Sequence, residues 1–207
     1  MVRVAVLVSG GGTNLQAIID AKAAGKIPSG EIALVVSGQE DAFALERARM
    51  AGIPTLVAKK DKRMALHAYG ELLLSILSQN AIGFVVLAGF LTILPENVIR
   101  AYEGRIINVH PSLIPAFCGA GYYGLKVHEA ALAYGVKVTG ATVHYVNEVP
   151  DGGKIIAQKA VDVLPCDSPE TLQKRVMVEA EWQLLPKAVE DCCREIFQSG
   201  RDCSEAG

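Results

Sequence analysis

Asn108 and His110 stand two residues apart in the run Ile106-Ile107-Asn108-Val109-His110-Pro111-Ser112-Leu113-Ile114-Pro115. Together they offer an amide and an imidazole at the end of an apolar segment. Alternate residues of a strand share a face, so the two side chains lie roughly 6 to 7 Å apart on one side. Pro111 cannot continue a hydrogen-bonded ladder. A donor beside a group that titrates near neutrality, at the carboxyl end of a strand, suits the crevice where open α/β sheets place their ligands. Taken alone, the pair is equally consistent with two incidental polar residues at a strand end.

Two further segments carry candidate chemistry. Ser9-Gly10-Gly11-Gly12-Thr13-Asn14-Leu15-Gln16 follows an apolar run and opens a helical stretch. Glycines let backbone amides converge on an anion, and a helix start adds unpaired N–H groups. No Lys follows the last glycine, and Leu15 stands where a dinucleotide fingerprint needs its third glycine, so a phosphate monoester fits better than a nucleoside triphosphate or a dinucleotide. The plain alternative is a tight strand-to-helix turn capped by Thr13. Asp151-Gly152-Gly153 puts a carboxylate in a turn, where it can simply bond its own backbone. Over the Asn108 strand, the same carboxylate would favour an imidazolium at His110. Acyl transfer to an amine needs an oxyanion stabiliser and a route for the amine proton. Asn108 and His110 supply the first and Asp151 the second, and none of them needs to be a covalent nucleophile.

Other titratable groups fit less well. His110, His144 and Asp151 could form a two-histidine, one-carboxylate metal site, but no HxH or HExxH spacing supports it, and no metal is expected. His144 alternates with Thr142 and Val146 and reads as a packed histidine, with a secondary role in the site as its alternative. His67 and His128 fall on helical stretches and are expected at the surface or in caps. Trp182, Leu184 and Leu185 read as core.

The elements that must hold these residues alternate. Short apolar runs (Arg3 to Ser9, Ile32 to Ser37, Thr55 to Ala58, Ile82 to Ala88) are interleaved with helical stretches from about Asn14, over Ala42 to Ala51, and over Met64 to Gln79. That pattern predicts an α/β, doubly wound, mostly parallel sheet of Rossmann-like type with right-handed crossovers. After His110 a Gly- and Tyr-rich loop, Cys118 to Gly124, precedes a short helix from about Lys126 to Tyr134. The runs Val138 to Val146 and Lys154 to Val163 are separated too briefly for a helical crossover, so these late strands are expected to be antiparallel. A last helix is expected to start with Asp167 or Ser168 as N-cap and Pro169 in its first turn, to kink near Pro186, and to end near Gln198. Residues 1–198 read as one domain, and 199–207 as a short polar tail.

Composition bounds the function classes. The chain of 207 residues is 51% hydrophobic and 20% charged, with a formal net charge of -2. Such a chain is an ordinary globular one with no basic field for nucleic acid. Its apolar runs are too short to span a membrane, and its first residues lead directly into a strand, so a cytoplasmic location is expected. Five cysteines show neither CxxC nor zinc-knuckle spacing and are expected as reduced thiols, with one of Cys192 and Cys193 facing the core and the other solvent.

The glycine loop, the segment Asn108 to Pro115 and Asp151-Gly152-Gly153 together resemble the phosphoribosylglycinamide formyltransferase family of folate-dependent formyltransferases. The likeness runs from about Arg3 to Val189 and includes Leu45-Glu46-Arg47-Ala48, Leu87-Ala88-Gly89-Phe90 and Gly140 to Val146. The resemblance implies a formyltransferase-type fold and transfer of a formyl group from 10-formyltetrahydrofolate, as cosubstrate, to the amine of a glycinamide ribonucleotide. It assigns Asn108, His110 and Asp151 as catalytic, and Gly12, Thr13 and Asn14 as the phosphate cradle. Glu181 matches the family's acidic contact to the ribonucleotide. On the folate side it implies Arg63, Leu91, Thr92, Ile93, Leu94, Asn108 and Asn147. Thr92 stands where the family pattern leads one to expect an arginine, and the loop Phe117 to Gly124 is longer than its commonest form.

The segment around His110 is shared with other formyl-handling enzymes, including methionyl-tRNA formyltransferase and formyltetrahydrofolate deformylase, so a deformylase-like or sugar-phosphate formyltransferase is the alternative reading. The glycine loop favours a phosphorylated acceptor. The expected partners are therefore small-molecule substrates, without nucleic acid or membrane, in a monomer or homodimer. A non-catalytic phosphosugar-binding protein would need the loop but not Asn108, His110 and Asp151.

Overall fold

The run Val2–Val8 forms a central strand, β1, whose alternate residues divide between two cores. Val4, Val6 and Val8 point to one face of the sheet, and Ala5 and Leu7 to the other. A strand buried on both faces has no need of polar alternation, which is why it reads as continuously apolar. The computed structural model describes the backbone of residues 1–205 and the side chains of residues 1–199. After β1 come α1 (Thr13–Ala23), β2 (Gly30–Ser37), α2 (Phe43–Met50), β3 (Thr55–Val57), α3 (Leu66–Gln79) and β4 (Phe84–Leu87). Next are α4 (Glu96–Ala101), β5 (Ile106–His110), α5 (Leu125–Tyr134), β6 (Val138–Tyr145), β7 (Ile155–Asp162) and α6 (Pro169–Val176). A π-helical stretch, Met177–Glu181, leads into α7 (Trp182–Glu205).

The sheet order is β3-β2-β1-β4-β5-β6-β7. Pairings are parallel from β3 to β5, and β6 is antiparallel to both β5 and β7. The doubly wound sheet with antiparallel late strands is thus as expected from the alternation. Order reverses beside β1, where one crossover leads to β2 and a later one to β4. That switch point opens a crevice at the carboxyl ends of β1, β4 and β5. α1 and α7 cover one face, with Leu15, Ile18, Leu185 and Val189 against the sheet. α3 and α4 cover the other, with Tyr69, Leu73, Leu77 and Val98. Each fully buried side chain of this size contributes about 1.5 to 3 kcal/mol.

Several local expectations are corrected. Gly12, not Thr13, is the N-cap of α1, in a left-handed conformation and without a side-chain cap bond. α4 leaves no periodic signature in the sequence, because six residues are too few for helical periodicity to show. Of the two expected N-caps of α6, Asp167 and Ser168, it is Ser168 that caps, its hydroxyl accepting from Thr171 N. The last helix changes its hydrogen-bonding pattern at Met177–Glu181, before Pro186, which sits inside α7. α7 also runs past Gln198 into the segment read as a tail. Cys192 and Cys193 are both buried rather than divided between core and solvent. Residues about 100° apart both fit within the wide stripe of a helix packed on a sheet and on α1. The side chain of Cys203 lies outside the described residues. No helix among the described residues is long and apolar enough to cross a membrane.

Candidate active site

The loop after β1 brings backbone amides together at the start of α1. The N–H groups of Gly11, Gly12, Thr13 and Asn14 donate to no acceptor among the described residues. Gly12 adopts φ 72°, and a Cβ there would meet Ala44 Cβ at 2.6 Å and its Cα at 2.7 Å. Only glycine allows this approach of the loop to α2. Asn14 Nδ2 donates to Glu181 Oε2 at 2.5 Å, which ties the cradle to the π-helical stretch. Such insertions recur at functional sites because they turn one side chain inward. Glu181 is 6% exposed, and burial raises its carboxyl above the usual range against the opposing effect of Asn14. Asn14 Oδ1 is buried and has no partner among the described residues, so it is an acceptor still to be satisfied.

Four polar side chains converge at the end of β5. In the β5–β6 register Asn108 lies opposite His144, and its Nδ2 is 3.2 Å from His144 Nε2. Asp151 reaches both strands. Its Oδ2 is 3.4 Å from His110 Nδ1, and its Oδ1 is 3.6 Å from His144 Nε2 and 3.5 Å from Asn108 Nδ2. Oδ2 also accepts from Gly119 N at 2.8 Å. His110 Nε2 donates to Phe117 O at 2.8 Å, and His144 Nδ1 donates to Tyr145 O at 2.8 Å. A carbonyl only accepts, so those nitrogens carry the protons.

The turn that carries Asp151 is tightly constrained. Gly152 N donates to Val149 O at 2.9 Å, and Asp151 takes φ 54°, which Asp tolerates better than most residues. A Cβ on Gly153 would lie 1.7 Å from Tyr145 O. Burial works to raise the Asp151 carboxyl, but bonds from His144 and Gly119 and the nearby His110 outweigh it, so it stays below the usual carboxylate range. Among the described residues no group of three His, Cys, Asp or Glu side chains is arranged to hold a metal ion.

His128 corrects a surface expectation. It is fully buried on the face of α5 that also carries Val127 and Ala131, and neither ring nitrogen has a partner among the described residues. Its spacing from Ala131 and Leu132 was the signal for this placement. Burial, with a smaller effect of His110, lowers its pKa from 6.5 to about 4. Between those values the unfolded chain binds a proton that the folded chain does not, so stability falls as pH drops through this window. The loss should reach about 3 kcal/mol at most. Urea midpoints measured from pH 7 to pH 4 should fall more steeply for the parent than for His128→Leu. Parallel slopes would count against this assignment.

The residues expected on the folate side are spread more widely. Leu91 and Ile93 are exposed after β4, Leu94 is buried, and Leu91 N donates to Ser9 Oγ at 2.9 Å. Because Leu87 pairs with Asn108, this segment passes beside the polar cluster. Arg63 and Thr92 share a separate recess of about 600 Å³ with Gly38 and Lys59 to Lys62. Asn147 uses its side chain to shape the Asp151 turn, accepting from Val149 N and donating to Gly152 O. A recess of about 1050 Å³ between α1 and α7 has neither Asn108, His110 nor Asp151 in its lining, so polar convergence rather than volume locates the site. The Gly119 amide and the Phe117 carbonyl were not anticipated, since backbone groups of an irregular loop leave no sequence signal.

Known proteins resemble this chain over most of its length. A sequence profile described as Formyl transferase matches residues 2–189. The chain is 42% identical to chloroplastic phosphoribosylglycinamide formyltransferase of Arabidopsis thaliana over 93% of its own length and 66% of the relative's. It is 41% identical to phosphoribosylglycinamide formyltransferase of Haemophilus influenzae, covering 91% of this chain and 86% of that protein. It spans 61% of a Vigna unguiculata relative and 18% of a trifunctional purine biosynthetic protein of Gallus gallus. Among solved structures, glycinamide ribonucleotide transformylase 1 of Symbiobacterium toebii superposes with a TM-score of 0.88 at 40% identity, covering 94% of this chain and 89% of that one.

Proposed function

This chain belongs to the formyl transferase family, with phosphoribosylglycinamide formyltransferases as its relatives, and from that membership we propose that it formylates N1-(5-phosphoribosyl)glycinamide in purine biosynthesis, with 10-formyltetrahydrofolate as donor. The observation that carries this reading is the placement of two features at one end of the sheet. Free amides lie at the end of β1, and Asn108, His110 and Asp151 meet beside β5, with only β4 between. Two strand spacings separate them, about 10 Å. A substrate with phosphate at one end and an amine at the other can bridge that gap.

In the proposed reaction the amine nitrogen forms a bond to the formyl carbon, and the carbonyl electron pair moves to oxygen. Asn108 Nδ2–H and the His110 ring stabilise that oxyanion. Donors of this kind contribute about 10²- to 10³-fold each. The Nε2–H of His110 now bonds Phe117 O, so this role requires the Phe117 carbonyl to give way to the formyl oxygen. Asp151, whose Oδ2 faces the His110 ring at 3.4 Å, takes up the amine proton, directly or through one water. The oxyanion pair then re-forms the carbonyl as the bond from carbon to N10 breaks, and N10 keeps that bond's electron pair and takes the proton that Asp151 received from the amine. Glu181 and the unpaired Asn14 Oδ1 would meet ribose hydroxyls, while Leu91, Ile93 and the Asn147 turn would border the folate.

Purified protein supplied with both substrates should consume them one for one and yield the formylated amide, with or without a chelator. Hydrolysis of the formyl donor with no formylated amide would favour a deformylase. Binding of the phosphorylated amine without turnover would favour a carrier.

A further inference from the structure

The cradle is shaped from outside, by α2. Three consecutive carbonyls of the loop are each taken by a donor. Gly10 O accepts from Ala44 N at 3.0 Å, Gly11 O from Arg47 Nε at 2.8 Å, and Gly12 O from Gln16 N at 2.9 Å. Carbonyl oxygens repel an anion and amides attract it, so a loop of freely turning glycines becomes an anion site only when its carbonyls are held outward. Arg47 supplies the only side-chain donor of the three. Its guanidinium is itself held, since Nη1 donates to Gln16 Oε1 at 3.1 Å and the Phe43 ring centre lies 5.0 Å from Cζ. A planar fork can serve a carbonyl, an amide and an aromatic ring together, which a single ammonium cannot. Without that bond, the Gly11 peptide has no Cβ contact to fix its orientation, because nothing lies within 4 Å of where a Cβ would stand.

We propose that Arg47 is a positioning residue of the phosphate cradle. It turns the Gly11 carbonyl outward, joins α1 to α2 through Gln16, and so sets affinity for the phosphorylated substrate without taking part in formyl transfer. This rests on reading the loop as a phosphate cradle, and its test does not need turnover.

Arg47→Met should weaken binding of inorganic phosphate, titrated directly, and raise the KM of the phosphorylated amine, each by about tenfold or more. The KM of the formyl donor and the saturating kcat should stay within about threefold, a split that marks lost substrate binding rather than lost chemistry. Arg47→Lys, which keeps the charge but loses the fork, should fall between parent and Met variant. Phosphate and amine constants within twofold of the parent, in a variant with parental circular dichroism, would overturn the proposal, as would equal losses in both KM values and kcat. If the parent formylates nothing, the proposed activity fails while phosphate titration still decides the role of Arg47.

Discussion

Asp151→Asn is expected to lower turnover by about 10²- to 10⁴-fold, the range of a lost acid–base group, while the KM of the phosphorylated amine changes by less than about threefold. The substitution is conservative where structure is concerned. Asn tolerates the left-handed conformation that Asp151 adopts at φ 54°, and its side-chain oxygen can still accept from Gly119 N. What disappears is the negative charge facing His110 at 3.4 Å and His144 at 3.6 Å, together with the proposed acceptor for the amine proton. The folded carboxyl titrates below its ordinary value of 3.8, so any stabilisation from its ionised form is present above that value and is lost only as pH falls through the lower folded one. An acid decline in activity above about pH 5 therefore belongs to another group. Turnover of Asp151→Asn within tenfold of the parent, measured with both substrates saturating, would remove Asp151 from the chemistry.

Gly12→Ala is expected to give the opposite signature. The added Cβ would sit 2.7 Å from the Cα of Ala44, a backbone atom, and the residue would be strained at φ 72°. Either α2 moves outward or the loop abandons its turn, and in both cases the amides cease to converge. The KM of the phosphorylated amine should rise by about 10- to 100-fold, which corresponds to about 1.4 to 2.8 kcal/mol of lost binding. Stability should fall by about 1 to 3 kcal/mol, as is usual for overpacking at a rigid site. Saturating kcat should stay near the parental value, because Asn108, His110 and Asp151 stand on other elements. A parental KM in a folded Gly12→Ala protein would refute the cradle as the site of phosphate recognition.

The two variants test features of very different legibility. β1 and β5 are apolar runs of strand length, and a strand buried on both faces cannot be written in polar residues without loss of stability. Their carboxyl ends, and hence the glycine loop and the pair Asn108 and His110, were therefore visible from residue order alone. The antiparallel late strands followed from the short connection around Asp151, which leaves no room for a crossover helix. α4 was invisible because it spans fewer than two turns, and the π-helical stretch because it changes hydrogen-bond register rather than residue type.

His144 and His128 show where residue order stops. Both read as ordinary histidines on regular elements, one packed and one at the surface. The β5–β6 register sets His144 against Asn108, and the packing of α5 seals His128 away from solvent. Arg47 belongs with them, since its partner Gly11 lies 36 positions away. Residue order settles which chemical groups exist, which strand ends carry them, and that the turn at Asp151 must be tight, because these follow from local sterics and hydrophobic periodicity. Tertiary structure alone decided that Asp151 would meet two imidazoles, that Phe117 O would engage His110, and that α2 would hold the cradle open. Such contacts depend on strand register and helix docking, which are settled by burial summed over the whole core rather than by any one segment.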